Sequence, residues 1–135
     1  MKVFSSGPFI NKNFSSYISK AYKYGWYENM SIFHEEAIRL MKKRFGVKYC
    51  ILFSSCTGAL DVLIRSFNFK RGSEIIVPET TWIGTVSGLC NQKLKPVFVD
   101  VNKSDWNINE KSILENITKK TKAIISVDCY GNPSN

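Results

Sequence analysis

Apolar positions change their period partway along the chain. Up to residue 47 they recur at helical spacing: Ile18, Ala21 and Tyr22 in one stretch, then Phe33, Ala37, Leu40, Met41 and Phe45 along a second stripe. Helices are therefore predicted over residues 15–24, stopped by Gly25, and over a segment that starts after the candidate N-cap Ser31 and ends at Gly46. Residues 1–14 have no helical period and carry Gly7 and Pro8, so they read as an extended arm. From Lys48 onward short β-rich runs alternate with helical windows and turn residues. Residues 49–53 read as a buried strand. A helix over 57–67 is predicted, with Leu60, Leu63, Ile64 and Phe67 inward. A turn at 70–73 leads into a strand at 74–77, stopped by Pro78. A helix over 81–91, a strand over 96–101, a short helix capped by Asn109 and running through Ile117, and a strand over 122–127 complete the series.

Alternation of this kind is the mark of crossover units on a largely parallel sheet, so the expected class is α/β, three-layered, with crossover helices on the sheet. The expected division is residues 1–47, an arm and two helices, and residues 48–135, an α/β domain. A parallel sheet needs both faces covered, and the segment YGNPSN follows a strand where another crossover helix is due. The expectation is that later strands and a C-terminal domain are absent from this sequence.

Composition narrows the partners more than the fold. With 44% hydrophobic and 22% charged residues in 135, the chain has the balance of a globular domain. Nineteen Lys and Arg against 11 Asp and Glu leave a net charge of +8, which suits nucleotides and phosphates as well as nucleic acid. The basic residues form no single stripe with interleaved aromatics, so no nucleic-acid partner is expected. Cys50, Cys56, Cys90 and Cys129 contain no C-x-x-C pair and have only His34 to recruit, so no metal site can be argued and free thiols in a reducing, cytoplasmic setting are expected. No run is long enough to cross a bilayer, and no membrane partner is expected. His34 reads as a helix-surface residue, and Lys42, Lys43 and Arg44 as a solvated helix face.

In open α/β sheets ligands sit beyond the carboxyl ends of the strands. The first such junction, FSSCTGAL, carries Ser54, Ser55, Cys56, Thr57 and Gly58 into a helix. First-turn N–H groups, small residues and hydroxyls together suit a phosphate, and the plainer alternative is N-capping by Ser55 or Thr57. The second junction, VPETTWIGT, puts Trp82 in the next helix's first turn, where it could lie flat over a planar ring or simply pack in the core. Neither a Walker A loop nor G-x-G-x-x-G occurs.

These residues carry a resemblance. YGWYENM with the helix after it, SSCTGAL, GSEIIVPETTWIGT, and KPVFVDV through ITKKTKAIISVDCYGNP match, in order, the N-terminal part of the DegT/DnrJ/EryC1/StrS family of sugar aminotransferases. The resemblance implies the large domain of a fold type I transferase dependent on pyridoxal 5'-phosphate. It places the coenzyme phosphate on Cys56, Thr57 and Gly58, and the pyridine ring against Trp82. Cys56 stands where many members have glycine. Asp128 stands where many have histidine and is expected to line the site, or to serve as a turn residue. Trp26 and Tyr27, after Gly25, match a segment associated with the substrate pocket; packing is the alternative for them. No catalytic residue is expected within this sequence, because the lysine that holds the coenzyme as an aldimine and its acidic partner are implied beyond residue 135, so the 135 residues alone are expected to be inactive. The implied reaction moves an amino group from a donor such as glutamate to a nucleotide-linked keto-sugar, in a homodimer. A sugar dehydratase of the same family and a non-catalytic basic α/β binding module stay open as alternatives.

Overall fold

The structure is a computed structural model that describes residues 10–135. The chain divides into two compact units, Met1–Leu52 and Phe53–Asn135.

In the first unit α1 spans Phe14–Tyr24 and α2 spans Ile32–Phe45. Most of the predicted arm, residues 1–9, lies outside the described residues; the rest is not extended, because Asn11 and Asn13 form a turn whose Asn11 carbonyl accepts the Phe14 N–H at 3.1 Å. Gly25 closes α1 by close approach: a β-carbon there would lie 2.6 Å from the Ala21 carbonyl oxygen. Gly46 closes α2 in the left-handed conformation, φ +65°, while the Val47 N–H reaches back to the Lys42 carbonyl. Ser31 precedes α2 but does not cap it. Its backbone is already helical, and its hydroxyl donates to the Glu35 carboxylate at 2.7 Å instead of accepting from a first-turn amide. His34 is exposed, and the last turn of α2 carries Lys42, Lys43 and Arg44, the favourable sign for a helix C-terminus.

The second unit is a three-stranded parallel sheet in the order β2-β1-β3, with β1 Glu74–Pro78, β2 Lys95–Val99 and β3 Thr121–Ile124. Every residue of β1 is buried, which is why its run of Ile75, Ile76 and Val77 is continuous rather than alternating. Helices α3, Cys56–Ser66, α4, Gly84–Asn91, and α5, Glu110–Asn116, complete the unit. Ile75 and Val77 pack with Ile64 of α3 and Val86 and Leu89 of α4. Ile76 points to the other face, with Val99, Ile108 and Ile113 of α5. Helices thus cover both faces, and the expected α/β class with a parallel sheet and crossover helices is the architecture found. The turn into β1 has Gly72 at φ +78° with the Ser73 N–H on the Lys70 carbonyl, a type II turn that only glycine enters without strain.

Several boundaries differ from expectation. Residues 49–53 form no strand, and Tyr49 and Ile51 are 77% and 76% exposed. A strand exists through its ladder, and neither edge of the sheet takes up this segment. The strand expected at 96–101 ends at Val99, and Val101 instead makes an isolated antiparallel bridge to Ile108. The strand expected at 122–127 ends at Ile124, although the Ile125 N–H still donates to the Ile76 carbonyl at 2.8 Å. Of the residues expected inward on α3 only Ile64 is fully buried; Leu60, Leu63 and Phe67 line an open apolar groove with Phe69 and Ile125.

Candidate functional site

The carboxyl ends of all three strands open into loops that converge on one groove. The loop after β1 supplies Thr80, Thr81 and Trp82; the loop after β2 supplies Trp106; the segment after β3 supplies Val127, Asp128, Cys129 and Tyr130. The groove measures about 350 Å³, within the range of small-molecule sites.

Trp82 is 78% exposed and does not pack in the core. It stands two residues before α4 rather than in its first turn, and its carbonyl accepts the Thr85 N–H at 2.9 Å. The side chains of Thr81 and Thr85 share a hydrogen bond of 2.7 Å, which ties this loop to α4. The N-terminus of α3 lies beside it. A β-carbon placed on Gly84 would sit 2.5 Å from the Thr57 hydroxyl oxygen and 3.2 Å from Cδ1 of Trp82, so the hydroxyl and the indole flank one glycine.

At the start of α3, Ser55 is the N-cap: its hydroxyl oxygen accepts the Gly58 N–H at 3.1 Å, and its carbonyl accepts the Ala59 N–H. The Gly58 N–H is therefore taken up by the cap, the plainer alternative for this loop, with Ser55 and not Thr57 as the capping residue. Among the described residues, the N–H groups of Cys56 and Thr57 find no acceptor. Both residues are exposed at the positive end of the helix. Two open amides, one hydroxyl and an adjacent exposed aromatic face fit a group that joins a phosphate to a flat ring, as pyridoxal phosphate does.

Asp128 lines the groove and also holds its own turn, accepting the Ser134 N–H at 2.9 Å. Trp26 and Tyr27 belong to the other unit. Trp26 Nε1 donates to the Tyr22 carbonyl, and Tyr27, 88% exposed, has φ +52°. Trp106, Thr80, Thr81 and Tyr130 were not singled out from the sequence. The signal was available for Trp106, since the loop after β2 is a strand's carboxyl end like the other two.

Residues 8–135 match the model of the DegT/DnrJ/EryC1/StrS aminotransferase family. The chain is 32% identical over 120 residues to a dTDP-4-amino-4,6-dideoxy-D-glucose transaminase from Escherichia coli, a match that covers 89% of this chain and 32% of that protein. It is 38% identical over 99 residues to a GDP-4-keto-6-deoxy-D-mannose 3-dehydratase from E. coli O55:H7, covering 69% of this chain and 26% of that one. Among solved structures, the E. coli GDP-4-keto-6-deoxy-D-mannose-3-dehydratase with bound hydrated PLP superposes with a TM-score of 0.80 at 29% identity, over 96% of this chain and 34% of that chain. An aminotransferase from Psychrobacter cryohalolentis superposes at 0.79 and 28% identity, over 93% and 32%. The chain spans about a third or less of each of these relatives.

Proposed function

Since the chain belongs to the DegT/DnrJ/EryC1/StrS aminotransferase family, we propose that it is the coenzyme-binding part of a pyridoxal-phosphate-dependent aminotransferase acting on nucleotide-linked keto-sugars, with an amino donor such as glutamate. The observation that carries this reading is the Gly84 junction, where the Thr57 hydroxyl and the exposed Trp82 ring stand side by side. Bound there, the coenzyme supplies an electron sink at the substrate's reacting carbon. The protein's part is to hold and orient. The amides of Cys56 and Thr57 and the Thr57 hydroxyl donate to the phosphate, and Gly58 keeps the first turn free of bulk. Trp82 presents its face to the pyridine ring, and Asp128 borders the same groove. Trp26 and Tyr27 are assigned to the substrate pocket on the resemblance. The four cysteines are free, as suits a cytoplasmic enzyme, and a homodimer is the proposed assembly.

The test is a titration with pyridoxal phosphate followed by coenzyme absorbance and tryptophan fluorescence. Trp82→Ala should weaken binding about 3- to 10-fold, the worth of an aromatic stacking contact. An unchanged dissociation constant overturns the assignment, and because Trp82 is exposed the variant keeps its core.

A further inference from the structure

Trp106 carries a contradiction that the coenzyme reading leaves unused. Its backbone is left-handed, φ +64°, in a region that bulky side chains avoid. It is nevertheless held there from several sides. The Trp106 N–H donates to the Asn102 carbonyl at 2.9 Å, and the Asn102 N–H donates to the Asn107 carbonyl at 2.8 Å. The Asn109 side-chain amide donates to Asn102 Oδ1 at 2.6 Å. Asn107, 4% exposed, anchors the loop to the segment after β3 by donating from Nδ2 to the Pro133 carbonyl at 2.9 Å. A network of this kind overrides the local preference of one residue. The ring it positions is not buried: Trp106 is 55% exposed and lines the groove with Trp82 and Asp128.

Trp106 also forms a wall of a neighbouring groove of about 300 Å³, lined by Thr80, Asp100, Asn102 and Lys103. The two grooves therefore share Thr80 and Trp106. A ligand made of a sugar ring joined to a diphosphate has two parts of differing chemistry: a C–H face that packs on an indole, and an anion that is drawn to an ammonium such as that of Lys103. The Asp100 carboxylate accepts the Val101 N–H at 2.8 Å, which engages part of its charge locally.

We propose that Trp106 is a specificity-determining residue that packs against the sugar of a nucleotide-linked substrate where the Trp82 groove meets the Lys103 groove. The proposal rests on the coenzyme reading above and adds to it the surface that recognises the sugar. It concerns the substrate alone, so coenzyme affinity should not depend on the Trp106 ring.

The experiment separates ring from backbone. Trp106→Asn removes the ring but keeps a residue that enters the left-handed region readily, so the loop stays in place; Trp106→Phe keeps an aromatic face. Each variant and the parent chain are titrated with pyridoxal phosphate and then, in its presence, with UDP-glucose, UDP and glucose as probes. Expected results are a pyridoxal phosphate affinity within twofold in both variants, a loss of at least tenfold in UDP-glucose affinity for Trp106→Asn, a loss below threefold for Trp106→Phe, and a UDP affinity nearly unaltered. UDP-glucose affinity unaltered in Trp106→Asn overturns the proposal, as does an equal loss for UDP, which would place the effect on the diphosphate. Coenzyme binding by the parent without any binding of UDP-glucose overturns it alone. Absence of coenzyme binding by the parent overturns the coenzyme reading and this proposal together.

Discussion

Ser55 and Thr57 stand two residues apart at the start of α3 and serve different ends. Ser55 satisfies the helix, accepting the Gly58 amide; the hydroxyl of Thr57 lies against Gly84 beside the Trp82 ring. Their substitutions should therefore separate. Ser55→Ala removes the cap and should lower stability by about 1 kcal/mol, with the coenzyme's affinity for the folded chain unaltered. Thr57→Val keeps the shape and removes the donor, and should weaken pyridoxal phosphate binding by about 1.5 to 3 kcal/mol, the worth of a hydrogen bond to a charged group. Thermal melts and coenzyme titrations on both proteins check this, and a Thr57→Val protein with lowered stability and unaltered affinity would leave Thr57 a structural role against Gly84 alone. Trp106 obeys a third logic. Its left-handed backbone costs about 1 to 3 kcal/mol, and the asparagine network of its loop is what maintains it.

At the scale of elements, α3 and α4 meet through glycine. A β-carbon on Gly88 would lie 3.1 Å from the Asp61 α-carbon, backbone that cannot swing aside, and the Gln92 amide bridges to the Asp61 carbonyl at 3.3 Å. Gly88→Val should push the helices apart, destabilise the unit by about 1 to 3 kcal/mol, and weaken coenzyme binding through the displaced Thr57–Gly84 contact. A chemical denaturation curve and a titration measure both, and Gly88→Ala should show a smaller effect. The same elements show what could be read without a structure. The buried run of β1 and the Asn109 cap, whose side chain accepts the Ser112 N–H at 2.8 Å, were legible, the first from its unbroken apolar stretch and the second from residues adjacent in sequence. Residues 49–53 have the β-rich texture of a strand without a ladder, since pairing is decided elsewhere in the chain. Ser31 has the right chemistry for a cap, but the helical backbone it adopts turns its hydroxyl to Glu35. The place of Trp106 after β2 was legible, but its left-handed backbone was not, because Asn102, Asn107 and Asn109 impose it against its own preference.

Across the α/β unit as a whole, the two ends of the sheet have different chemistry. The amino end is tied by Glu74, 6% exposed, which accepts from the Thr118 hydroxyl at 2.6 Å and from Lys95 Nζ at 3.0 Å, linking β1 to β2 and to the approach to β3. The Thr118 hydrogen bond, then that of Lys95, holds its carboxyl below the usual glutamate range. A depressed carboxyl pKa stabilises the fold above the unfolded value, and that stabilisation is lost as pH falls through the folded one. Melting temperatures from about pH 7 down to about pH 3 should therefore show the parent more stable than Glu74→Gln at neutrality, with the gap closing below about pH 4. A constant gap would show that the charge is irrelevant. At the carboxyl end the buried Asn107 side chain ties the loop after β2 to the segment after β3, and the groove there draws its lining from the loops after all three strands. A coenzyme held between the Thr57 hydroxyl and the Trp82 ring is met only while the start of α3 and the loop after β1 stay assembled, so occupancy adds to the folding equilibrium by mass action, about 2.7 kcal/mol at a hundredfold excess over the dissociation constant. Where the coenzyme is scarce the unliganded chain would open more often and be degraded sooner, so that coenzyme supply would help to set how much of the protein there is.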